Sequence, residues 1–275
     1  MQNPINKPSR KPVSVTELTA WEYCPRKLFI QKILKLPSKL NRAMLLGKIK
    51  HQTIELLSNN EEKIIKNIDK DYDKLDLVLI YEKFIRDLVE KIFQDNRRIL
   101  EGFNITLEEI NKKVMSDFSH DLKLRVSSIK DKLKFGFFKD KLWDSLDSLF
   151  ISELRLESQE HGLKGRVDRI EIVKSTNEII PYELKTREER IFHSDEIQLT
   201  AYSIMLEEHY RTKVARGFIE SGTNKQEIKI TEELKKEVLD LIEKIRNIEN
   251  SPPPAMLSNF NKCRSCEFQE ECMKL

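Results

Sequence analysis

Glycine is scarce: the 275 residues contain only 7, about a third of the usual share. None falls in a G-x-G-x-x-G or G-x-x-x-x-G-K-[ST] pattern, which argues against a dinucleotide-binding turn and a phosphate-binding loop. No apolar stretch approaches the ~18 residues of a membrane span. Met1 to Val13 is polar and basic without an apolar core, so neither a signal peptide nor an anchor is expected, and the sequence reads as intracellular and cytoplasmic. A large excess of one charge is also lacking. Lys plus Arg number 49 against 46 Asp plus Glu, a formal net charge of +3, so any nucleic-acid partner must be argued from local charge.

Cysteine is limited to four. In a reducing compartment these point to metal ligands or free thiols rather than two disulfides. Cys263, Cys266 and Cys272 form a C-x2-C-x5-C cluster near one end, and Cys24 stands alone near the other.

What is present falls into two unlike halves. Residues 13 to 57 read as a short helix, a turn at Cys24-Pro25 and a longer helix from Asn41 to Leu57. From Arg26 to Lys50 there are eight basic residues and no acidic one. Such a run is either a solvated face of amphipathic helices or the wall of a groove that follows a phosphate backbone. Residues 72 to 150 read as almost continuous helix. Tyr81, Phe84, Ile85, Leu88, Val89, Ile92 and Phe93 recur at the spacing of one helical face, Thr106 to Glu109 has capping-box form, and a further helix is expected over Lys141 to Leu149.

After residue 150 the pattern becomes β-rich. Leu154, Leu156 and Ser158 alternate with polar residues, and Leu163–Val173 and Ile179–Leu184 are strand-like with a turn at Asn177. Three antiparallel strands are expected. A helix capped at Ser194-Asp195 should follow, then strands at Val214 to Glu220 and Glu227 to Ile230, then a helix from Glu232 to Ile248 ended by three prolines. The fold class is α/β, or α+β.

The main chemical signal is Asp168, followed fifteen residues later by Glu183-Leu184-Lys185. Strand side chains alternate, so Glu183 and Lys185 share one face, Leu184 takes the other, and Asp168 on the neighbouring strand can join the acidic face. Two converging carboxylates bind a hard divalent cation, and the lysine can orient or help deprotonate water. Alone, the same residues can be a cross-strand ion pair. His51 lies on the second expected helix, and Gln198 and Tyr202 lie one turn apart on another.

Together Cys24-Pro25-Arg26, Gly47-x3-His51, Gly165-x2-Asp168, Glu183-x-Lys185, Gln198-x3-Tyr202 and the cysteine tail resemble the RecB-like branch of the PD-(D/E)XK nuclease superfamily. Within it the CRISPR-associated Cas-four exonucleases are most similar. The resemblance implies a restriction-endonuclease-like core with a large helical insertion. Its expected divisions are an N-terminal segment over 1–57, the insertion over 58–150, the nuclease core over 151–250 and the cysteine cluster over 251–275. It implies that His51, Asp168, Glu183 and the backbone carbonyl of Leu184 ligate Mn2+ or Mg2+. Lys185 is then the catalytic lysine, and Gln198 and Tyr202 position the DNA strand. The four cysteines would hold one [4Fe-4S] cluster joining the chain ends, although their spacing alone equally permits a Zn2+ site. Glu153 resembles an accessory acid of the family, but the alternation of its strand favours a solvent-facing residue.

The expected activity is metal-dependent cleavage of single-stranded DNA ends, in CRISPR spacer acquisition beside an integrase complex. A RecB-like nuclease of recombination, repair or a virus has the same chemistry. A catalytically silent DNA clamp is the reading of another class, and the presence of all the acids and the lysine speaks against it.

Overall fold

A computed structural model describes residues 11–68, 76–185, 191–221, 224–257 and 259–275. The expectations for residues 1–10 and for the helix start at 72–75 lie outside the described residues. Three helices open the chain: α1 (Val15–Tyr23), α2 (Pro25–Ile33) and α3 (Arg42–Lys66). Ser14 and Glu17 form a reciprocal capping box at α1. Cys24 ends α1 and caps α2, whose first residue is Pro25, a position where the missing N–H has no helical partner to lose. Asn41 caps α3 by accepting from the Met44 N–H.

The helical stretch is α4 (Leu77–Gly102), α5 (Leu107–Lys134) and α6 (Lys139–Ser145). Thr106 accepts from the Glu109 N–H and starts α5, as the capping pattern predicts. On α4 the apolar stripe buries Tyr81, Ile85, Val89, Ile92 and Phe93 against α3 and α5. The expectation of helix from Lys141 to Leu149 needs correction, because α6 ends at Ser145 and strand pairing has begun at Ser148.

A six-stranded sheet follows from β1 (Val13–Ser14), β2 (Ser148–Ser158), β3 (Leu163–Val173), β4 (Glu178–Lys185), β5 (Arg216–Ser221) and β6 (Asn224–Lys229). The three strands β2, β3 and β4 are antiparallel neighbours, as expected, with Asn177 at φ 54° in the turn between the last two. β4 and β5 pair in parallel, which requires a crossover, supplied by α7 (His193–Tyr210). Then come α8 (Glu232–Arg246) and the short α9 (Phe260–Arg264) and α10 (Gln269–Lys274) of the cysteine tail.

The main core lies between one face of the sheet and α1, α7 and α8, and includes Leu18, Leu156, Val167, Tyr202, Met205 and Leu241. Gly165 permits the fit of α1 on β3: a Cβ there would stand 2.7 Å from Val15 Cγ2 and 3.0 Å from Met205 Cε. On the opposite face Ile54 of α3 packs with Ile180, Tyr182 and Leu184 of β4. That contact brings the helical layer onto the strands that carry the acidic motif.

Candidate active site

The β3–β4 ladder ends at the rung Arg169–Tyr182, so the next opposed positions are Asp168 and Glu183. Beyond that rung β4 pairs with β5, while β3 continues between β2 and β1. The two acids therefore stand in a fork where the strands separate and backbone groups lose ladder partners. One is recovered by the side chain, since Asp168 Oδ2 accepts from the Leu184 N–H at 2.8 Å. Leu184 turns its own side chain to the Ile54 contact, leaving Glu183 and Lys185 to the other face as alternation predicts.

Glu153 completes the cluster and corrects the solvent-facing expectation, being only 8% exposed. It stands opposite Asp168, between the rungs Ser152–Arg169 and Leu154–Val167. Its φ of 58° is left-handed, a conformation that glutamate holds only where its surroundings impose it. Here the alternation shifts phase: Val167 and Ile170, three apart, both belong to the main core, whereas a regular strand would place them on opposite faces.

His51 of α3 closes over these acids. Its Nδ1 lies 2.9 Å from Glu153 Oε1 and 3.3 Å from Asp168 Oδ1. Among the described residues, His51, Glu153 and Asp168 form the group whose ligand atoms all lie within 4.8 Å of one another. Glu183 is adjacent to this set and turned toward Lys185, with Oε1 2.7 Å from Nζ. Its Oε2 is buried and without a hydrogen-bond donor.

Electrostatically this is an unfavourable assembly of protein groups alone. Burial raises the Asp168 carboxyl to about 7, the Leu184 N–H working against the rise and the Glu153 charge adding to it. Burial and the Asp168 charge raise Glu183 to about 8. Crowded buried carboxyls with an undonated oxygen and a neighbouring imidazole suit a divalent cation. An imidazole in the donor set favours Mn2+ more than it favours Mg2+.

Lys185 is held on three sides. Its Nζ lies 2.7 Å from Glu183 and 3.1 Å from Asp195 Oδ1, and donates to Gln198 Oε1 at 2.9 Å. Gln198 in turn donates to Tyr202 Oη at 2.8 Å. Burial opposes the ammonium charge, but Glu183 and Asp195 outweigh it and raise the pKa. These three contacts fix the position of the Lys185 ammonium beside the acids. Tyr202 is 3% exposed, so its hydroxyl lies beneath the site, where it holds the Gln198 amide.

The basic run from Arg26 to Lys50 is largely engaged with the protein itself. Lys27 pairs with Glu267, Lys32 with Glu17, Arg42 with Glu109 and Lys50 with Asp117. Arg26 is buried and donates to the Pro254 carbonyl at 2.7 Å, to the Cys272 carbonyl at 3.0 Å and to Cys272 Sγ at 3.2 Å. Neither a solvated face nor a groove wall describes most of this run. Three of these four acids lie more than sixty positions from their cations in sequence, beyond the reach of a local charge count.

The four cysteines are free and line one cavity of about 380 Å³, with Tyr23, Ile30 and Met256 among its apolar walls. The chain ends thereby meet, Cys24 from the α1–α2 junction and Cys263, Cys266 and Cys272 from the tail. Four thiols around one space are a donor set that fits a metal group.

Comparison with known proteins agrees with this geometry. A "CRISPR-associated exonuclease Cas4/endonuclease Cas1 fusion" of Leptospira interrogans serogroup Icterohaemorrhagiae serovar Lai (strain 56601) is 30% identical over 133 residues, 45% of this chain and 24% of that protein. A "CRISPR-associated exonuclease Cas4" of Francisella tularensis subsp. novicida (strain U112) is 25% identical over 120 residues, 43% of this chain and 60% of that protein. The chain thus covers less than two thirds of either relative's length. A model of the PD-(D/E)XK nuclease superfamily matches residues 12–273, nearly the whole sequence and every element that meets at the strand fork, and the chain belongs to that superfamily.

Proposed function

We propose that this chain is a Mn2+- or Mg2+-dependent deoxyribonuclease that shortens single-stranded DNA ends. The observation that carries the reading is the buried acid pair Asp168 and Glu183 in the strand fork, with His51 and Glu153 above it and Lys185 fixed beside it. His51, Glu153, Asp168 and Glu183, with the Leu184 carbonyl, would hold the cation. When bound, it supplies Lewis-acid polarisation of the phosphate and activation of water.

The chain's own groups do the rest. Lys185 presents its ammonium toward the anionic phosphate and the incoming water. Gln198 and Asp195 keep it there, and Tyr202 fixes the Gln198 amide. In hydrolysis a water oxygen bonds to phosphorus as a bridging P–O bond breaks, and negative charge accumulates on the phosphate oxygens. A preorganised cation beside them stabilises that charge without reorganising.

The cysteine cavity is proposed to hold a [4Fe-4S] cluster that ties the chain ends together. A cavity of about 380 Å³ lined by all four cysteines has room for a group larger than a single ion, which supports the cluster over one zinc. A role in CRISPR spacer acquisition, beside an integrase, is supported by the relative in which the exonuclease is fused to endonuclease Cas1.

The test is cleavage of end-labelled single-stranded DNA with Mn2+, Mg2+ or EDTA by anaerobically purified wild type and Glu183→Ala. Metal-dependent shortening lost in the variant is expected, and the label position gives the polarity. A folded wild type that cuts neither single-stranded, duplex nor flapped DNA would overturn the reading and favour a clamp.

A further inference from the structure

Past the fork, the exposed face of the β2–β3 ribbon carries a juxtaposition that the fold itself does not need. Arg155 and Arg166 are direct cross-strand partners, and both are exposed. Like charges directly opposite one another destabilise a sheet. Their neighbours Leu154, Leu156, Leu163 and Val167 all face the main core, so alternation puts both guanidiniums, with Lys164 two rungs on, on the other side. That is the side from which His51 reaches Glu153 and Asp168.

The three cations do not pair alike. Arg166 Nε lies 2.7 Å from Glu153 Oε2 while its side chain stays 54% exposed. Arg155 and Lys164 have no side-chain hydrogen bond or ion pair among the described residues. The nearest rung acid is Glu157, opposite Lys164, which accepts from Gln159. The Arg155–Arg166 rung is two residues along each strand from Glu153 and Asp168, about 7 Å at the rise of a regular strand. A polyanion lying on the His51–Glu153 side of the cluster, where Arg166 meets Glu153, would therefore pass over the arginine pair next.

Building on the nuclease reading above, we infer that Arg155 and Arg166, with Lys164 beyond them, form a phosphate track that guides the DNA strand along the β2–β3 ribbon to or from the cut. Arg166 also bridges the track to the metal site through Glu153. Arg155 touches no acid of the site, so it reports on the track alone. A paired charge elsewhere, Arg97 with Glu101 on α4, has the same effect on net charge and serves as the control.

The experiment measures binding of a labelled oligothymidylate in EDTA by fluorescence anisotropy over a range of salt, with full-length wild type, Arg155→Gln, Arg166→Gln and Arg97→Gln. Each lost phosphate contact on a single strand lowers the slope of log affinity against log salt by about 0.7. That loss is expected for Arg155→Gln and Arg166→Gln and not for Arg97→Gln. Arg155→Gln should also melt at or above the wild-type temperature, because a like-charge rung is relieved; a merely structural arginine would do the reverse. An unchanged slope in Arg155→Gln with wild type that cleaves DNA overturns the track and leaves the nuclease standing. An equal loss in Arg97→Gln overturns it in favour of net charge, and wild type that neither cuts nor binds overturns both.

Discussion

The buried ammonium of Lys50, on α3, donates to the backbone carbonyl of Lys185 at 2.9 Å. The same Nζ lies 3.0 Å from Asp117 Oδ2 on α5. A lysine beside the site histidine thus joins the helical layer to the strand end that carries the proposed catalytic lysine. Asp117 is itself nearly inaccessible, its side chain 2% exposed, with Lys113 3.3 Å away as a second cation.

Lys50→Met should reduce cleavage and stability together. Removing one partner of a buried ion pair costs about 3 kcal/mol or more, because Asp117 loses its nearer counter-charge. The double variant Lys50→Met, Asp117→Leu separates the effects: the melting temperature should recover while the turnover rate stays low, since the Lys185 carbonyl has no donor in either. Recovery of both would assign Lys50 to folding alone.

Glu153→Gln should weaken Mn2+ binding about tenfold or more and slow cleavage at least as much, with the fold intact. Calorimetric titration of Mn2+ into the variant checks the first and end-labelled DNA the second. The glutamine keeps the shape beside His51 and loses the charge. Wild-type metal affinity would return Glu153 to a structural role.

Why alternation misplaces Glu153, which the family resemblance singles out, while it places Glu183 and Lys185 correctly, follows from the range of the forces involved. Alternation is a local rule, and it places Glu183, Leu184 and Lys185 on their observed faces because β4 is a regular strand. The same rule sends Glu153 to solvent because nothing in Ser152-Glu153-Leu154 announces a left-handed residue; packing against α3 imposes it. The Thr106 cap and the Asn177 turn are equally local and equally legible. Two-residue β1 carries no periodicity to detect. The pairing of Lys50 with Asp117 joins positions 67 apart, so the basic run hides a buried strut among surface cations.

In the absence of metal, stability should fall as pH rises from about 4.5 to 8. Asp168 and Glu183 have ordinary values of 3.8 and 4.5 and are raised to about 7 and about 8 in the folded chain. Between these limits the folded state holds protons that the unfolded state has released, so the unfolded state binds fewer and raising pH favours unfolding. A bound divalent cation replaces those protons and should flatten the dependence. Thermal melts in EDTA across this range, for wild type and for Asp168→Asn with Glu183→Gln, are the check. The double variant should lose most of the slope; the wild-type slope in that variant would place its source elsewhere.

At the far end of the molecule, Arg26 and the cysteines make a separable claim about how the chain ends are held. Three donors of one buried side chain bind the tail at Pro254 and Cys272, and the proposed cluster would close a loop of 239 positions between Cys24 and Cys263. A link across so long a loop restricts the unfolded chain strongly. Cys263→Ala should therefore release metal and lower the melting temperature, and Arg26→Met should expose the tail to limited proteolysis while retaining part of the metal. Iron and sulfide analysis of anaerobic wild type distinguishes the cluster from zinc. Unchanged folding and metal content in Cys263→Ala would remove that cysteine from the site, because a ligand that can be deleted without loss is not holding the two ends together.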